Sequence, residues 1–309
     1  MPSLRDIRRR IRSTQNMQKI TKAMQVVSAT RLRRAQAAVQ ATRPYTEKMV
    51  EVLATTAERA TEYRHPYLER RQGGAGDPGP PGRGPQGGTP PSQQGDRALL
   101  IVVTADRGLA GALNTNTLRA VNRYVNQHHR GQARYVTIGR KGRDFLARYR
   151  RDIVADVSGI KDRPGVGAIL PAVSAALEEY DEGRADTLLL AYARWASTLR
   201  QEPVVQTLLP ISLPEVEAGR TPADYIYEPG PEAVLDALLP RYIETLVYQA
   251  VLENQASEHS ARMVAMQNAT KAAGDMIESF TLTANKVRQA TITAELMDIV
   301  GGAEALRKE

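Results

Sequence analysis

"RDIRRRIRSTQNMQKITKAMQVVSATRLRRAQ" (residues 5–36) carries ten Lys or Arg side chains against a single acid, Asp6. Such a stretch suits a nucleic-acid arm, a targeting peptide, or a shaft inside an acidic partner. Apolar residues recur at Ile7, Ile11, Met17, Ile20, Met24 and Val27, the three-or-four spacing of one helix face. Ser3 stands where an N-cap belongs. No glycine occurs from Met1 to Gln72, and after Pro2 the only prolines there are Pro44 and Pro66. The pattern predicts a helix from about residue 3 to about residue 60, bent at Pro44. At 1.5 Å per residue that is a rod of roughly 80 Å.

A second such segment lies at the other end. From Arg241 to Val300 there is no proline, and Gly274 is the only glycine. Leu246, Val247, Val251, Met263, Met266, Met276, Ile277, Phe280, Val287, Ile292, Leu296 and Ile299 mark a helical stripe. Alone, each helix would leave that stripe in water, so the two are expected to coil together, parallel or antiparallel. Whatever lies between them is then an insertion in one hairpin.

Between the helices, residues 73–95 are dominated by Gly and Pro, without the three-residue period of collagen, and read as a disordered loop. Residues 97–104, 133–139, 152–158 and 187–195 read as buried strands, with 203–211 as a further one, and helical stretches lie near 110–127, 140–149 and 166–182. That alternation predicts a parallel or mixed sheet with helices on its faces. The resulting boundaries are 1–71 for the N-terminal coiled-coil helix, 72–96 for the loop and 97–212 for the α/β domain. A connection over 213–230 and a C-terminal coiled-coil helix over 231–309 complete the chain.

Composition removes several classes of chemistry. The 309 residues contain no cysteine, which excludes disulfides, thiolate metal sites and thiol switching. Two of the four histidines, His128 and His129, are adjacent and read as solvated. The net charge of +8 calls for an anionic partner or surface. No apolar run approaches the roughly 18 residues of a membrane span, and no signal peptide is visible. "TADRGLAGALN" (104–114) follows a strand and opens a helix but lacks the G-x-G-x-x-G fingerprint, so its glycines are read as packing glycines. Neither a Walker-type loop nor a catalytic constellation is present, and the acids of "EEYDEG" (178–183) read as a solvated helix end. Residues 1–44 contain no aromatic side chain. A basic helix with an apolar seam and no stacking residues favours an acidic protein sleeve over a nucleic acid, although a basic coiled-coil nucleic-acid-binding or structural protein stays as the alternative.

Several stretches resemble one family in order. "ITAELMDIVGGAEA" (292–305) resembles the C-terminal signature of the F-type ATP synthase gamma subunits, with Ile292, Thr293, Glu295, Asp298, Gly302 and Ala303 in matching places. "STQNMQKITKAMQVVSATRLRRAQ" (13–36), "VTADRGLAGALN" (103–114) and residues 227–270 resemble the family's N-terminal helix, central-domain start and C-terminal helix. The resemblance covers the chain outside 72–95.

It implies an antiparallel coiled coil of the terminal helices with an inserted Rossmann-like α/β domain. It also implies a central-stalk rotor that turns inside a hexamer of alpha and beta subunits and couples transmembrane proton or sodium flow to ATP synthesis. Such a subunit has no catalytic group and no cofactor. Its partners would be the alpha, beta and epsilon subunits and the membrane ring of c subunits, with no nucleic acid and only indirect contact with the membrane. By the same resemblance Lys22, Met24, Arg31, Arg33, Arg34, Arg288 and Gln289 would meet beta subunits, while Tyr225, Tyr227 and Glu228 would face the ring and epsilon. A match starting within the first residues leaves no room for a transit peptide, so the expected place is the cytoplasmic face of a bacterial membrane. The loop 73–95 is longer than the family's usual connection, and the cysteine-bearing insertion of photosynthetic members is absent.

Overall fold

The computed structural model describes residues 3–60, 63–69, 97–212 and 227–307. The Gly/Pro-rich stretch 73–95, most of 213–230 and Tyr225 lie outside the described residues. Two compact units emerge: residues 1–29 with 262–309, and residues 30–261.

Helix α1 (Leu4–Arg59) begins where Ser3 predicts. The Asp6 backbone N–H donates to Ser3 Oγ at 3.2 Å, and Ser3 Oγ donates to the Asp6 carboxylate at 2.7 Å, closing the first turn. That hydroxyl is the main reason the Asp6 carboxyl lies below its ordinary range. Pro44 sits inside α1 without ending it. The helix stops at Arg59, at the expected end near residue 60; residues 63–69 form a docked turn around Pro66. There the Tyr67 hydroxyl donates to Asp181, and the Ile211 N–H donates to the Tyr67 carbonyl.

The first unit is a helix pair of α1 and the last helix, α5 (Pro231–Arg307). Thr21 Oγ1 lies 2.8 Å from Thr270 Oγ1, and a Cβ on Gly274 would sit 3.3 Å from Gln18 Nε2. The α5 partner number rises as the α1 number falls, so the pairing is antiparallel.

Burial corrects which side chains face the seam. Along α1 the covered positions are Ile7, Ile11, Thr14, Gln18, Thr21, Gln25, Ser28, Leu32 and Ala35, alternating four and three apart. Along α5 the same alternation runs through Met266, Thr270, Ala273, Ile277, Phe280, Ala284 and Val287. Both are heptad seams. The expected stripe residues Met17, Ile20 and Val27 are instead 50–60% exposed, as are Met276, Ile292, Leu296 and Ile299 at 49–68%. Met17, Ile20 and Val27 each sit one residue before a seam position, about 100° around the helix, and so form a second face. The seam itself is rich in Thr, Gln, Ser and Ala, which lets two backbones approach closely.

In the second unit five strands form one sheet: β1 (Ala98–Val103), β2 (Arg134–Ile138), β3 (Ile153–Val157), β4 (Thr187–Trp195) and β5 (Gln201–Leu209). Their spatial order is β3-β2-β1-β4-β5, parallel except for the β4–β5 hairpin. The central runs ALLIVV and TLLLAYARW are buried on both faces and therefore read as continuous apolar segments. Leu100, Val102 and Leu189 meet α2 (Leu113–His128) and α3 (Arg140–Arg148) through Leu118, Val121, Val125 and Leu146. On the opposite face, Leu99, Ile101, Val103, Leu188 and Leu190 share a core with α4 (Leu170–Asp181), α5 residues Leu235, Leu239, Ile243, Val247 and Val251, and α1 residues Met49 and Leu53. Helix α5 carries an internal proline, Pro240, in the part that meets this core.

Three expectations change here. β3 is an edge strand and only half-buried. The "EEYDEG" acids are not all solvated: Glu179 is buried, paired with Arg134 and with Arg184 at 3.0 Å. His129 is half-buried, and both His128 and His129 stack near Tyr124.

Between β4 and α5, burial pushes the Glu253 carboxyl above its ordinary range, opposed by Arg194 and Arg43. Burial, and then Glu253, pushes the Tyr192 hydroxyl up. A carboxyl raised on folding binds its proton more tightly in the folded state, so its contribution falls as pH climbs from the ordinary carboxylate range to the raised value. Replacing Glu253→Gln is expected to flatten that decline and to leave the chain at least as stable as wild type at neutral pH, measured by urea unfolding from pH 4 to 8.

Candidate functional site

The carboxyl ends of β1, β2 and β3 are where open α/β sheets place ligands. Here Asp106 gathers the three loops. Its Oδ1 accepts the Arg140 N–H at 2.9 Å, and its Oδ2 accepts Gly159 and Ile160 N–H groups at 2.8 and 3.0 Å. The Thr104 hydroxyl accepts the Gly142 N–H at 2.8 Å, and the Lys141 N–H donates to the Ala105 carbonyl. The first-turn amides of α3 are thus consumed by the protein itself, which removes them as an anion cradle.

The packing glycines are Gly139 and Gly142 rather than those of 104–114. A Cβ at Gly139 (φ 105°) would lie 2.1 Å from the Thr104 carbonyl oxygen, and one at Gly142 would lie 2.9 Å from Thr104 Oγ1. Gly108 and Gly111 have open space around them, and Gly111 is needed only for its φ of 56°.

Beside these loops a cleft of about 600 Å³ is bounded by the β1, β2 and β3 loops, by Arg31 of α1, and by Val251, Asn254, Gln255, Glu258 and His259 of α5. Its carboxylates are engaged: Asp106 as above, and Asp162 with Arg31 at 3.2 Å. Asn254, also buried, accepts the Ala193 N–H at the end of β4.

The residues expected at partner surfaces fall into distinct groups. In the first unit, Lys22, Arg288 and Gln289 are exposed and Met24 is half-buried. From Thr291 to Val300 every α5 position is exposed, including Met297 at 68% and Val300 at 62%. In the second unit Arg33 and Arg34 are exposed, whereas Arg31 is turned to Asp162 within its own chain. Tyr227 is half-buried beneath the Arg59 guanidinium, 5.5 Å from the ring centre, and Glu228 is exposed. Among the described residues, no helix is long and apolar enough to cross a membrane.

A family model described as ATP synthase matches residues 3–306. The ATP synthase gamma chain of Chloroflexus aurantiacus is 44% identical over 311 residues, spanning 99% of both chains. That of Paraburkholderia phytofirmans is 42% identical over 315 residues, spanning 99% of this chain and all of the relative. The chain belongs to the ATP synthase gamma-chain family. The same fold occurs in chains of two solved ATP synthase structures. A chain in the Euglena gracilis mitochondrial ATP synthase structure with OSCP, F1 and c-ring superposes with a TM-score of 0.63 at 19% identity, covering 98% of this chain and 94% of its own. One in the Tetrahymena thermophila mitochondrial central stalk and c-ring gives 0.54 at 22% identity, covering 81% and 99%. Family membership selects the rotor-subunit reading over the nucleic-acid one.

Asp162, Gln255 and Tyr248, which tie the β3–α4 loop to the helices, escaped the sequence reading because loop polar residues carry no periodic signal. Gly139→Ala is expected to destabilise the chain by about 3 kcal/mol or more through clash and left-handed backbone together. Gly111→Ala should cost only about 1–2 kcal/mol. Urea unfolding of the two variants measures the difference.

Proposed function

We propose that the chain is the central-stalk rotor subunit of a bacterial ATP synthase. It turns inside the ring of alpha and beta subunits and links ion flow through a membrane-embedded c-ring to ATP synthesis. Family membership along the whole chain supports this most directly, and the bare end of α5 supports it physically. Every α5 position over 291–300 is exposed, and Ile292, Leu296, Met297, Ile299 and Val300 form one broad apolar face there that an enclosing partner would take out of water. An encircling sleeve leaves the helix free to turn, whereas a one-sided groove would fix it.

The chain would contribute shape and charge, not bond chemistry. As α5 turns, its exposed side chains and those of α1 meet each beta subunit in succession. A partner site changes state only by the difference in contact free energy between its open and closed forms. An asymmetric helix pair presents a different surface to each of three sites, so the sites stay out of phase. Lys22, Arg33 and Arg34 are exposed cations suited to an acidic lining, and Arg288 with Gln289 offers donors and an amide acceptor. On this reading Tyr227 and Glu228 lie toward epsilon and the c-ring, and the complex sits on the cytoplasmic face of the membrane.

A complex isolated through a tag on this chain is expected to contain alpha, beta and epsilon subunits and to hydrolyse ATP. Recovery of the chain alone, or with nucleic acid, would reject the assignment. Replacing Arg288→Ala and Gln289→Ala together should lower turnover of the assembled complex about ten-fold, since a charge-assisted hydrogen bond contributes roughly 1.5–3 kcal/mol. Helicity by circular dichroism should be unchanged. Wild-type turnover would remove these two residues from the beta contact.

A further inference from the structure

The loop from Ser158 to Gly165, between β3 and α4, makes a set of contacts unlike those of any other loop described. Its start is fixed to the sheet, where Gly159 and Ile160 N–H groups donate to Asp106. Its middle and end reach two helices. Gln255 Nε2 donates to the Lys161 carbonyl at 2.9 Å, and the Tyr248 hydroxyl donates to the Pro164 carbonyl at 2.9 Å. Arg31 of α1 meets the Asp162 carboxylate at 3.2 and 3.4 Å. One loop therefore holds the sheet, α5 over two turns, and α1.

The cleft gives these polar contacts a mechanical role. Nearer the N-terminus of α5 the sheet and helices are joined by a dense apolar core from Leu235 to Val251, with Met49 and Leu53 supplied by α1. Arg31 is eighteen residues from Met49, about 27 Å along α1. At that end a cleft of about 600 Å³ lies between the loops and the helices, beside only a small apolar cluster of Ala110, Leu113 and Ala193 with Ala261 of α5. Hydrogen bonds and the ion pair span it. Twist between the sheet domain and the two helices is resisted there by these ties, together with the Asn254 bond to Ala193 and the Ser260 bond to Thr198; only the loop's ties also reach α1. The Arg31 and Asp162 side chains are 32% and 55% exposed, so the pair is weak and reversible.

Resting on the rotor reading above, we infer that the 158–165 loop is a torsional brace. Arg31, Asp162, Gln255 and Tyr248 act in it as positioning residues that keep the sheet domain and the helices turning together. Arg31 thereby acts within its own chain instead of on a beta subunit. With the brace released, part of an imposed twist is taken up between domain and helices, and the coupling slips. Exposed pairs of this kind shift the made-to-released ratio by about two- to five-fold when broken.

The test uses the complete membrane-bound complex and reads two quantities, ATP hydrolysis and ATP-driven ion pumping. Poor folding or assembly lowers both in proportion; a lost brace lowers their ratio. Asp162→Asn is expected to keep hydrolysis per assembled complex near wild type, with ions pumped per ATP reduced about two- to five-fold. Tyr248→Phe, which removes one hydroxyl and no charge, should reduce the ratio in the same direction. Arg31→Asp should resemble Asp162→Asn, and adding Asp162→Arg to it should restore most of the ratio, because the pair is rebuilt with its charges exchanged. An unchanged ratio in both Asp162→Asn and Tyr248→Phe overturns the brace. So does an Arg31→Asp defect that Asp162→Arg leaves unrepaired, which would return Arg31 to a contact with another subunit. Absence of the chain from any ATP-hydrolysing complex would instead refute the rotor reading on which the brace rests.

Discussion

Everything distinctive about this chain follows from how its two terminal helices meet. They pair through a heptad seam populated by Thr14, Gln18, Thr21, Gln25 and Ser28 on one side and by Thr270 and Ala273 on the other. Small and polar seam residues bury little apolar area, so the pair gains less hydrophobic stabilisation than a Leu-rich zipper would. Large apolar seam residues are confined mostly to its ends, at Ile7, Ile11, Ile277, Phe280 and Val287 and at Leu32 and Met266, while Met17, Ile20, Val27 and Met276 lie outside it. A helix pair that keeps Met17, Ile20, Val27 and Met276 in water is under constant drive to be enclosed by something else.

The second unit supplies the opposite condition. There α5 gives its apolar face to the sheet, and Leu239, Ile243 and Val247 are completely covered. Fully burying each such side chain is worth roughly 1.5–3 kcal/mol, which anchors the N-terminal part of α5 firmly to the sheet. The helix is covalently continuous from there to its exposed end. A strongly held base and an unsatisfied apolar end on one helix is the arrangement a transmission element requires.

The sequence announced the helix limits, the strand positions and the insertion of an α/β domain because long glycine-free periodic runs and buried strands leave strong local patterns. The helix direction was not legible from periodicity; the Thr21–Thr270 contact settles it. Of the expected α1 stripe, Ile7 and Ile11 do lie in the seam, but Met17, Ile20 and Val27 do not, for a physical cause. Periodicity finds apolar residues, and from Thr14 to Ser28 this seam is made of Thr, Gln and Ser, while Met17, Ile20 and Val27 lie one residue away. Burial of Glu179 escaped notice because its partners Arg134 and Arg184 come from separate parts of the chain. The glycines of 104–114 drew attention that belonged to Gly139, whose constraint is a carbonyl thirty-five residues earlier in sequence. The partner-facing residues were legible only through resemblance, since an exposed Arg or Gln on a helix carries no signature of its own.

The most direct test of the rotor account is to watch this chain move. It has no cysteine, so Arg119→Cys on the exposed face of α2 gives a single attachment point for an optical marker. With the alpha and beta subunits fixed to a surface and ATP supplied, the account predicts rotation in one direction with three dwells per turn, one for each catalytic site. A marker that stays fixed, or only fluctuates without direction, while the same complex hydrolyses ATP would contradict it.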